Sequence, residues 1–231
     1  MILFGKKSLI ENINNVEKVE LSSSRLELVN LLKENKIPYS IKPDSYFNKF
    51  ENINHQKVVS YTKPTKHLNI LDFLKTDKEK SIFVVLDSIM DPGNFGAILR
   101  TCESFGVDGI VYKKDNQAQI NETVSKTSQG AVNRLNMFRV TNLSQTLELL
   151  KKSGYWIYTS ALNDKAQNYS KINYDNKTVL VIGNEENGVN KNIITNSDFV
   201  ITIPMIGTSQ SLNVSVATGI LLAQIVKQFN N

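Results

Sequence analysis

Three short stretches of this 231-residue chain hold residue types suited to orienting a polar substrate and to stabilising charge that develops in a reaction. The first is Asp87-Ser88-Ile89-Met90-Asp91-Pro92-Gly93-Asn94-Phe95-Gly96, which follows the apolar run 82–86 and leads to Arg100. The second is Gly183-Asn184-Glu185-Glu186-Asn187-Gly188, after the apolar run 179–182. The third is Ile203-Pro204-Met205-Ile206-Gly207-Thr208-Ser209-Gln210-Ser211-Leu212-Asn213, which closes the run 199–203. An arginine supplies a fixed cation, while amides, hydroxyls and carboxylates supply directed hydrogen bonds. Glycines bracketing carboxylates let a ligand come close to the backbone. Enzymes built on parallel sheets bind ligands just beyond the carboxyl ends of the strands, and all three stretches fall at such ends.

Each residue also has a plainer reading. Asn94 could serve as a helix N-cap, as could Ser211 or Asn213 for the last helix. Phe95, Ile98, Leu99, Cys102 and Phe105 recur at helical spacing as a buried stripe, and Gly106 would end that helix. Arg100 falls nearly opposite the stripe, with Gly96 and Glu103, where a solvated arginine also sits. The second stretch is equally what an ordinary strand-to-helix turn looks like. Neither capping nor packing needs the whole Ser-Gln-Ser-Leu-Asn run, however. Cys102 belongs to the apolar stripe and reads as core.

Other chemistries lack their residues. There is no G-x-G-x-x-G after a strand and no G-x-x-x-x-G-K-[ST], which disfavours a Rossmann dehydrogenase or a P-loop NTPase. With His55 and His67 as the two histidines, neither a Ser-His-Asp triad nor a His-based metal centre is expected. Cys102 is the single cysteine, so no internal disulfide or multi-Cys zinc site can form, and a reducing compartment is implied. No run approaches the roughly 18 apolar residues of a membrane span, and residues 1–7 lack the order of a signal peptide. The expected location is the cytoplasm. A net charge of +5 suits a polyanionic partner, and suits a merely lysine-rich surface equally well.

Periodicity gives the elements that must hold these loops. From residue 81, apolar runs at 82–86, 109–112, 156–158, 179–182 and 199–203 alternate with helical stretches such as 143–152, and a last helix spans 214–229. Continuous apolar runs of this length are buried parallel strands, so the fold class is α/β. The first sixty residues read separately, as a small α/β unit. Leu9, Ile10 and Ile13 make one helix face, and strands are expected at 16–21, 37–39 and 57–61. Ser22-Ser23-Ser24 should cap a helix carrying Leu26, Val29, Leu31 and Leu32. The expected division is a domain at 1–63, a polar linker at 64–80 with a short helix at 68–74, and a main domain at 81–231.

Together the three stretches resemble the motifs of the SPOUT superfamily, specifically the SpoU/TrmH-type RNA ribose 2′-O-methyltransferases. The matching residues are Leu86-Asp87 with Asp91 through Thr101, Leu180 through Gly188, and Ile203-Pro204-Met205 with Ser211 through Ala217. The likeness covers residues 81–228. Phe4-Gly5-Lys6-Lys7-Ser8-Leu9 and Asn54-His55-Gln56 resemble the family's L30e-like RNA-binding extension. The pairing is most similar to bacterial 23S rRNA (guanosine-2′-O-)-methyltransferases. Two departures stand out: Lys57 where a glycine is usual, and Cys102 where a small residue is usual.

The resemblance implies a C-terminal trefoil knot, against the general rule that chains do not thread themselves. It implies S-adenosyl-L-methionine as methyl donor, no metal, and an obligate homodimer through the C-terminal domain. It maps Asn94, Arg100, Glu185, Ser211 and Asn213 onto catalytic and substrate-positioning residues. Thr159, Ser160, Ala161, Gly183, Ile203, Met205 and Leu212 map onto cofactor contacts. Lys113, Lys114, Lys126, Arg134 and Arg139 are candidates for a phosphate-binding rim, and a solvated charged surface accounts for each as well. Three rivals remain: a tRNA 2′-O-methyltransferase, a non-catalytic RNA-binding or ribosome-assembly protein of the same fold, and a conventional Rossmann methyltransferase, whose Gly-rich first loop is missing here.

Overall fold

The computed structural model describes residues 2–50, 53–62, 68–76, 78–208 and 211–229. The first sixty residues alternate short strands and single helical turns: β1 (Ile2–Phe4), α1 (Lys6–Glu11), β2 (Val16–Ser22), α2 (Val29–Glu34), β3 (Tyr39–Lys42) and β4 (Val58–Thr62). The strands lie in the order β1-β4-β2-β3, with β2–β3 parallel and the other pairs antiparallel. Side-chain alternation sends Val19, Leu21 and Val58 to one face, where they form a core with Leu9, Leu28 and Leu32. In segment 44–50, Phe47 is buried and Phe50 packs edge-on against Phe4. Glu20 of β2 is buried but ionised. Burial pushes its pKa up, yet hydrogen bonds from the Tyr46 and Tyr61 hydroxyls and the Lys18 ammonium outweigh that and hold it at about 2.

The sheet that carries the three polar loops begins after α3 (Ile70–Leu74). β5 (Ser81–Asp87), α4 (Pro92–Ser104), β6 (Gly109–Lys113), α5 (Glu122–Thr127), β7 (Met137–Val140), α6 (Leu143–Lys152) and β8 (Trp156–Ser160) come first. β9 (Gln167–Asn168), β10 (Lys177–Gly183), α7 (Lys191–Thr195), β11 (Phe199–Thr202) and α8 (Val214–Phe229) follow. The strand order is β7-β6-β5-β10-β8-β11-β9, and every neighbouring pair is parallel. β5 is buried from end to end, as its unbroken apolar run predicts. Ile82, Val84 and Leu86 pack with residues of α4 and α8, while Phe83 and Val85 pack with residues of α3, α6 and α7. The result is an α/β/α sandwich.

This order places the functional loops. From β5 the chain builds β6 and β7 on one side, then returns to add β10 on the other. A crevice for a ligand opens where the order reverses, at the carboxyl ends of β5 and β10. Gly183 and Asp87 are register partners there, so the first two loops leave the sheet side by side. β8 and β11 lie next in the row.

Several expectations need correction. Ile10 and Leu26 are exposed, because α1 is barely two turns long and residues 23–28 form a 3₁₀ turn with a kink at Arg25. Gly96 does not face solvent: a Cβ there would come within 2.7 Å of Thr127 Cβ, so α5 packs directly on α4. The stretch expected as linker is partly docked, with Phe73 edge-on to both Phe83 and Phe138. The rest of that stretch, residues 63–67 and 77, lies outside the described residues. α5, α7, β7 and β9 were not anticipated. The two sheets meet where β1 approaches α5: Asn15 donates to the Asn133 carbonyl at 3.2 Å, and Arg134 to Asn12 Oδ1 at 3.4 Å.

Candidate active site

The loop after β5 is set by its own helix start. Asp91, not Asn94, caps α4, its carboxylate accepting the Asn94 N–H at 2.6 Å, with Pro92 in the first turn. That leaves the Asn94 side chain available. Its Nδ2 donates to Glu185 Oε1 at 2.7 Å and its Oδ1 accepts from Asn213 Nδ2 at 2.9 Å. Asn213 has a second task, since its Oδ1 accepts the Ser215 N–H at 2.9 Å at the start of α8. One asparagine therefore ties together three loops separated by 91 and 119 residues.

Two further groups hold this frame. Asn184 donates to the Ser88 carbonyl at 2.9 Å and accepts the Glu186 and Asn187 N–H groups at 2.8 and 3.1 Å, folding the second loop into an Asx turn. Gly183 permits that fold: a Cβ would lie 2.3 Å from the Gly188 carbonyl carbon and the Val189 nitrogen. Behind the loops, the buried Asp87 carboxylate pairs with Lys113 at 2.9 Å and accepts the Asn190 N–H at 2.8 Å. Asp91, Asn184 and Asp87 were missed as organising residues. The D-P pair at a helix start and an Asn directly after a strand-end Gly were the signals for the first two.

A cleft of about 550 Å³ opens beside this frame. Six of the seven residues mapped to cofactor contact line it: Ser160, Ala161, Gly183, Ile203, Met205 and Leu212. Thr159 does not; it is fully buried and its hydroxyl pairs with that of Ser197. Of the five residues mapped to catalysis, Glu185 and Ser211 line the cleft, and Asn94 and Asn213 are joined to Glu185 as described. Ser209 and Gln210 lie outside the described residues. Arg100 sits on the exposed face of α4, and among the described residues its guanidinium has no hydrogen-bonding or ion-pair partner. Glu185 ties its loop to Asn94 rather than to Arg100. The described lining contains two carboxylates, Glu185 and Glu186, and no lysine or arginine. Such a site accommodates a ligand that is part apolar and part cationic.

Three of the five basic residues proposed for a phosphate rim have partners within the protein. Lys113 pairs with Asp87, Arg134 with Glu103 at 2.8 Å, and Arg139 donates to the Lys114 carbonyl at 3.3 Å. Cys102 is buried, and burial pushes its thiol pKa far up, so it is core. Among the described residues no three His, Cys, Asp or Glu side chains are grouped to hold a metal, and no helix is long and apolar enough to cross a membrane.

Comparison with known proteins bears directly on this site. The sequence profile of the SpoU rRNA methylase family matches residues 81–223, the span that carries all three loops. A Mycoplasma pneumoniae protein named as an uncharacterized tRNA/rRNA methyltransferase is 41% identical over 229 residues, 95% of this chain and 94% of that one. The structure of an AdoMet-bound rRNA methyltransferase from Sinorhizobium meliloti superposes with a TM-score of 0.81 at 21% identity, over 98% of this chain and 86% of that one. That of an RNA 2′-O ribose methyltransferase gives 0.79 at 16% identity, over 100% and 89%. The two structures share the fold; the family match and the relative fix the membership. This chain belongs to the SpoU rRNA methylase family, a group of RNA methyltransferases.

Proposed function

We propose that this protein transfers the methyl group of S-adenosyl-L-methionine to a ribose 2′-hydroxyl of RNA, with a guanosine of 23S rRNA as substrate. One observation carries the reading: the Asn94–Glu185–Asn213 bridge joins all three motif loops beside a cleft of mixed apolar and acidic lining. The residues present fit the donor. Gly183 lets the loop fold tightly at the edge of the cleft, Ile203 and Leu212 offer apolar contact to a flat ring, and Glu185 and Glu186 favour a cation. The two solved structures of similar fold, one an AdoMet-bound rRNA methyltransferase and one an RNA 2′-O ribose methyltransferase, support the same assignment.

The donor, when bound, supplies an electrophilic methyl group on a sulfonium. What the chain must do is bring the acceptor hydroxyl into line, and positioning of this kind accounts for much of the acceleration in two-substrate reactions. Asn94, Ser211 and Asn213 orient the ribose, with Asn94 itself held by Glu185. The 2′-hydroxyl is a weak acid, so negative charge building on its oxygen needs a fixed cation. Arg100 provides that cation, or holds the neighbouring phosphate. A general-base role would require a neutral guanidine, whose cost is high for a group with a pKa above about 12.

In this reading residues 1–63 are the L30e-like substrate-binding domain and the enzyme is a cytoplasmic homodimer with a knotted C-terminal domain. Its Mycoplasma relative is named for tRNA and rRNA together, so both substrates belong in the test. The protein is incubated with methyl-labelled S-adenosylmethionine and undermethylated 23S rRNA or bulk tRNA, and the label is mapped. A 2′-O-methylguanosine in 23S rRNA is expected. Label in tRNA alone would move the substrate; label on a base, or none, would overturn the reading.

A further inference from the structure

The cleft where the N-terminal sheet meets α5 has no part in the chemistry described above. It measures about 220 Å³ and lies between residues 2–8, the turn at 53–56, and α5 with the residues just after it. Both segments that gave the first domain its resemblance, Phe4 to Leu9 and Asn54 to Gln56, meet there. Its described lining includes Lys7 and Lys126 and no Asp or Glu. Lys7 is 71% exposed at its side chain and only loosely paired, 3.7 Å from Glu11.

Its hydrogen-bonding groups are set in advance. Gln56 Oε1 accepts the Lys6 N–H at 3.1 Å, which fixes the amide and leaves Nε2 as the outward donor. Among the described residues that nitrogen has no partner, and neither do the side-chain amides of Asn54 and Gln129. The backbone is strained at the same place. Six non-glycine residues among those described have positive φ, and two of them line this cleft, Gln56 at 48° and Gln129 at 49°, with Lys57 at 56° directly after the first. A fourth, Ser88, sits in the loop after β5. Left-handed conformations are costly for residues with a side chain, and they persist mainly where function holds them.

We infer that this cleft holds one unstacked nucleotide of the RNA, its phosphate by Lys7 and Lys126 and its base edge against the amides of Gln56 and Gln129. Single-stranded bases are read by hydrogen bonds to their edges, and an amide offers both donor and acceptor, whereas lysines contact the phosphates. α5 rests on Gly96 of α4, so a nucleotide seated here is one helix away from Asn94 and Arg100. The cleft would thus set the spacing between an anchored nucleotide and the reacting ribose.

The inference rests on an RNA substrate, but its test is separate from turnover. Binding of a 23S rRNA transcript and of a tRNA transcript is measured by fluorescence anisotropy for wild type, Gln129→Gly, Gln129→Asn and Lys7→Gln. Glycine suits the left-handed backbone, so Gln129→Gly removes the amide without unfolding the turn. Its affinity for the bound transcript should fall about tenfold, with Gln129→Asn recovering part of the loss. Lys7→Gln should weaken binding and lower the salt slope by about one. Unchanged affinity in both Gln129→Gly and Lys7→Gln, with wild-type melting, overturns the inference even if rRNA is methylated. Weakened binding without methylation of any RNA keeps the inference and removes the methyl-transfer reading instead.

Discussion

Among the described residues, the cleft at the strand ends is lined by Glu185 and Glu186 with no basic residue, whereas the cleft beside the N-terminal sheet is lined by Lys7 and Lys126 with no acid. The first is framed by side chains from three loops of one sheet, cross-linked through Asn94. The second exists only because two sheets are docked, with Asn12 and Asn15 contacting residues 133–134 across the join. Charge of opposite sign in the two places matches two ligands of opposite sign, a cationic donor and an anionic acceptor. The contrast teaches that net charge was a poor guide to this molecule. The value of +5 averages over regions that differ locally, and it is the local field that selects a ligand.

The contrast can be broken first at Gly183. A side chain there collides with the Gly188–Val189 backbone, so Gly183→Val should abolish detectable cofactor binding by calorimetry and destabilise the C-terminal domain by about 1–3 kcal/mol. Transcript binding at the other cleft should survive; if it falls in step, the two clefts are not independent. Next in size, Arg100→Ala should cut the methyl-transfer rate by about 10²- to 10³-fold, the usual cost of losing a group that stabilises developing charge. Near wild-type turnover would remove Arg100 from the chemistry.

Acid should separate the two regions by a smaller energy. Folding lowers the Glu20 pKa from 4.5 to about 2, so its contribution of about 3 kcal/mol is complete above about pH 5 and lost as pH falls from 4.5 to 2. The N-terminal domain should therefore loosen first. Trp156 is the single tryptophan and lies on β8, so its fluorescence should still report a folded second sheet while tyrosine signals change. Simultaneous loss would show that the sheets unfold as one unit. The smallest effect is expected for Lys57→Gly. Relief of the left-handed φ of 56° opposes loss of the exposed ion pair with Asp44, and the melting free energy should change by less than about 1 kcal/mol.

Lys57 also illustrates what was legible beforehand. Its departure from the usual glycine was visible in the chain, but the reason, a positive φ, needed the backbone. α4, α6 and α8 could be read because 13, 10 and 16 residues give apolar periodicity room to repeat. α5 and α7, at six and five residues, gave it none, and with α5 unseen Gly96 was assigned to the wrong face. The pairing of two rim candidates was hidden for a related reason. Asp87 and Glu103, which occupy Lys113 and Arg134, come from other elements and are brought near only by the strand order. The three motif loops were identifiable one by one. That Asn94 joins them, while Asp91 does the capping, depends on pairings that no spacing encodes.

The Asn94 bridge has a consequence for how the protein is made. Its third member, Asn213, also starts α8, which follows every strand of the sheet in the chain. During synthesis the N-terminal sheet and β5 through β7 can form while the ribosome is still adding residues, at roughly 5–20 per second. The Asn94 bridge cannot, because it is completed by Asn213, which emerges only after every strand of the sheet has been made. A nascent or C-terminally clipped chain would thus be able to hold RNA at the N-terminal cleft before it could modify anything.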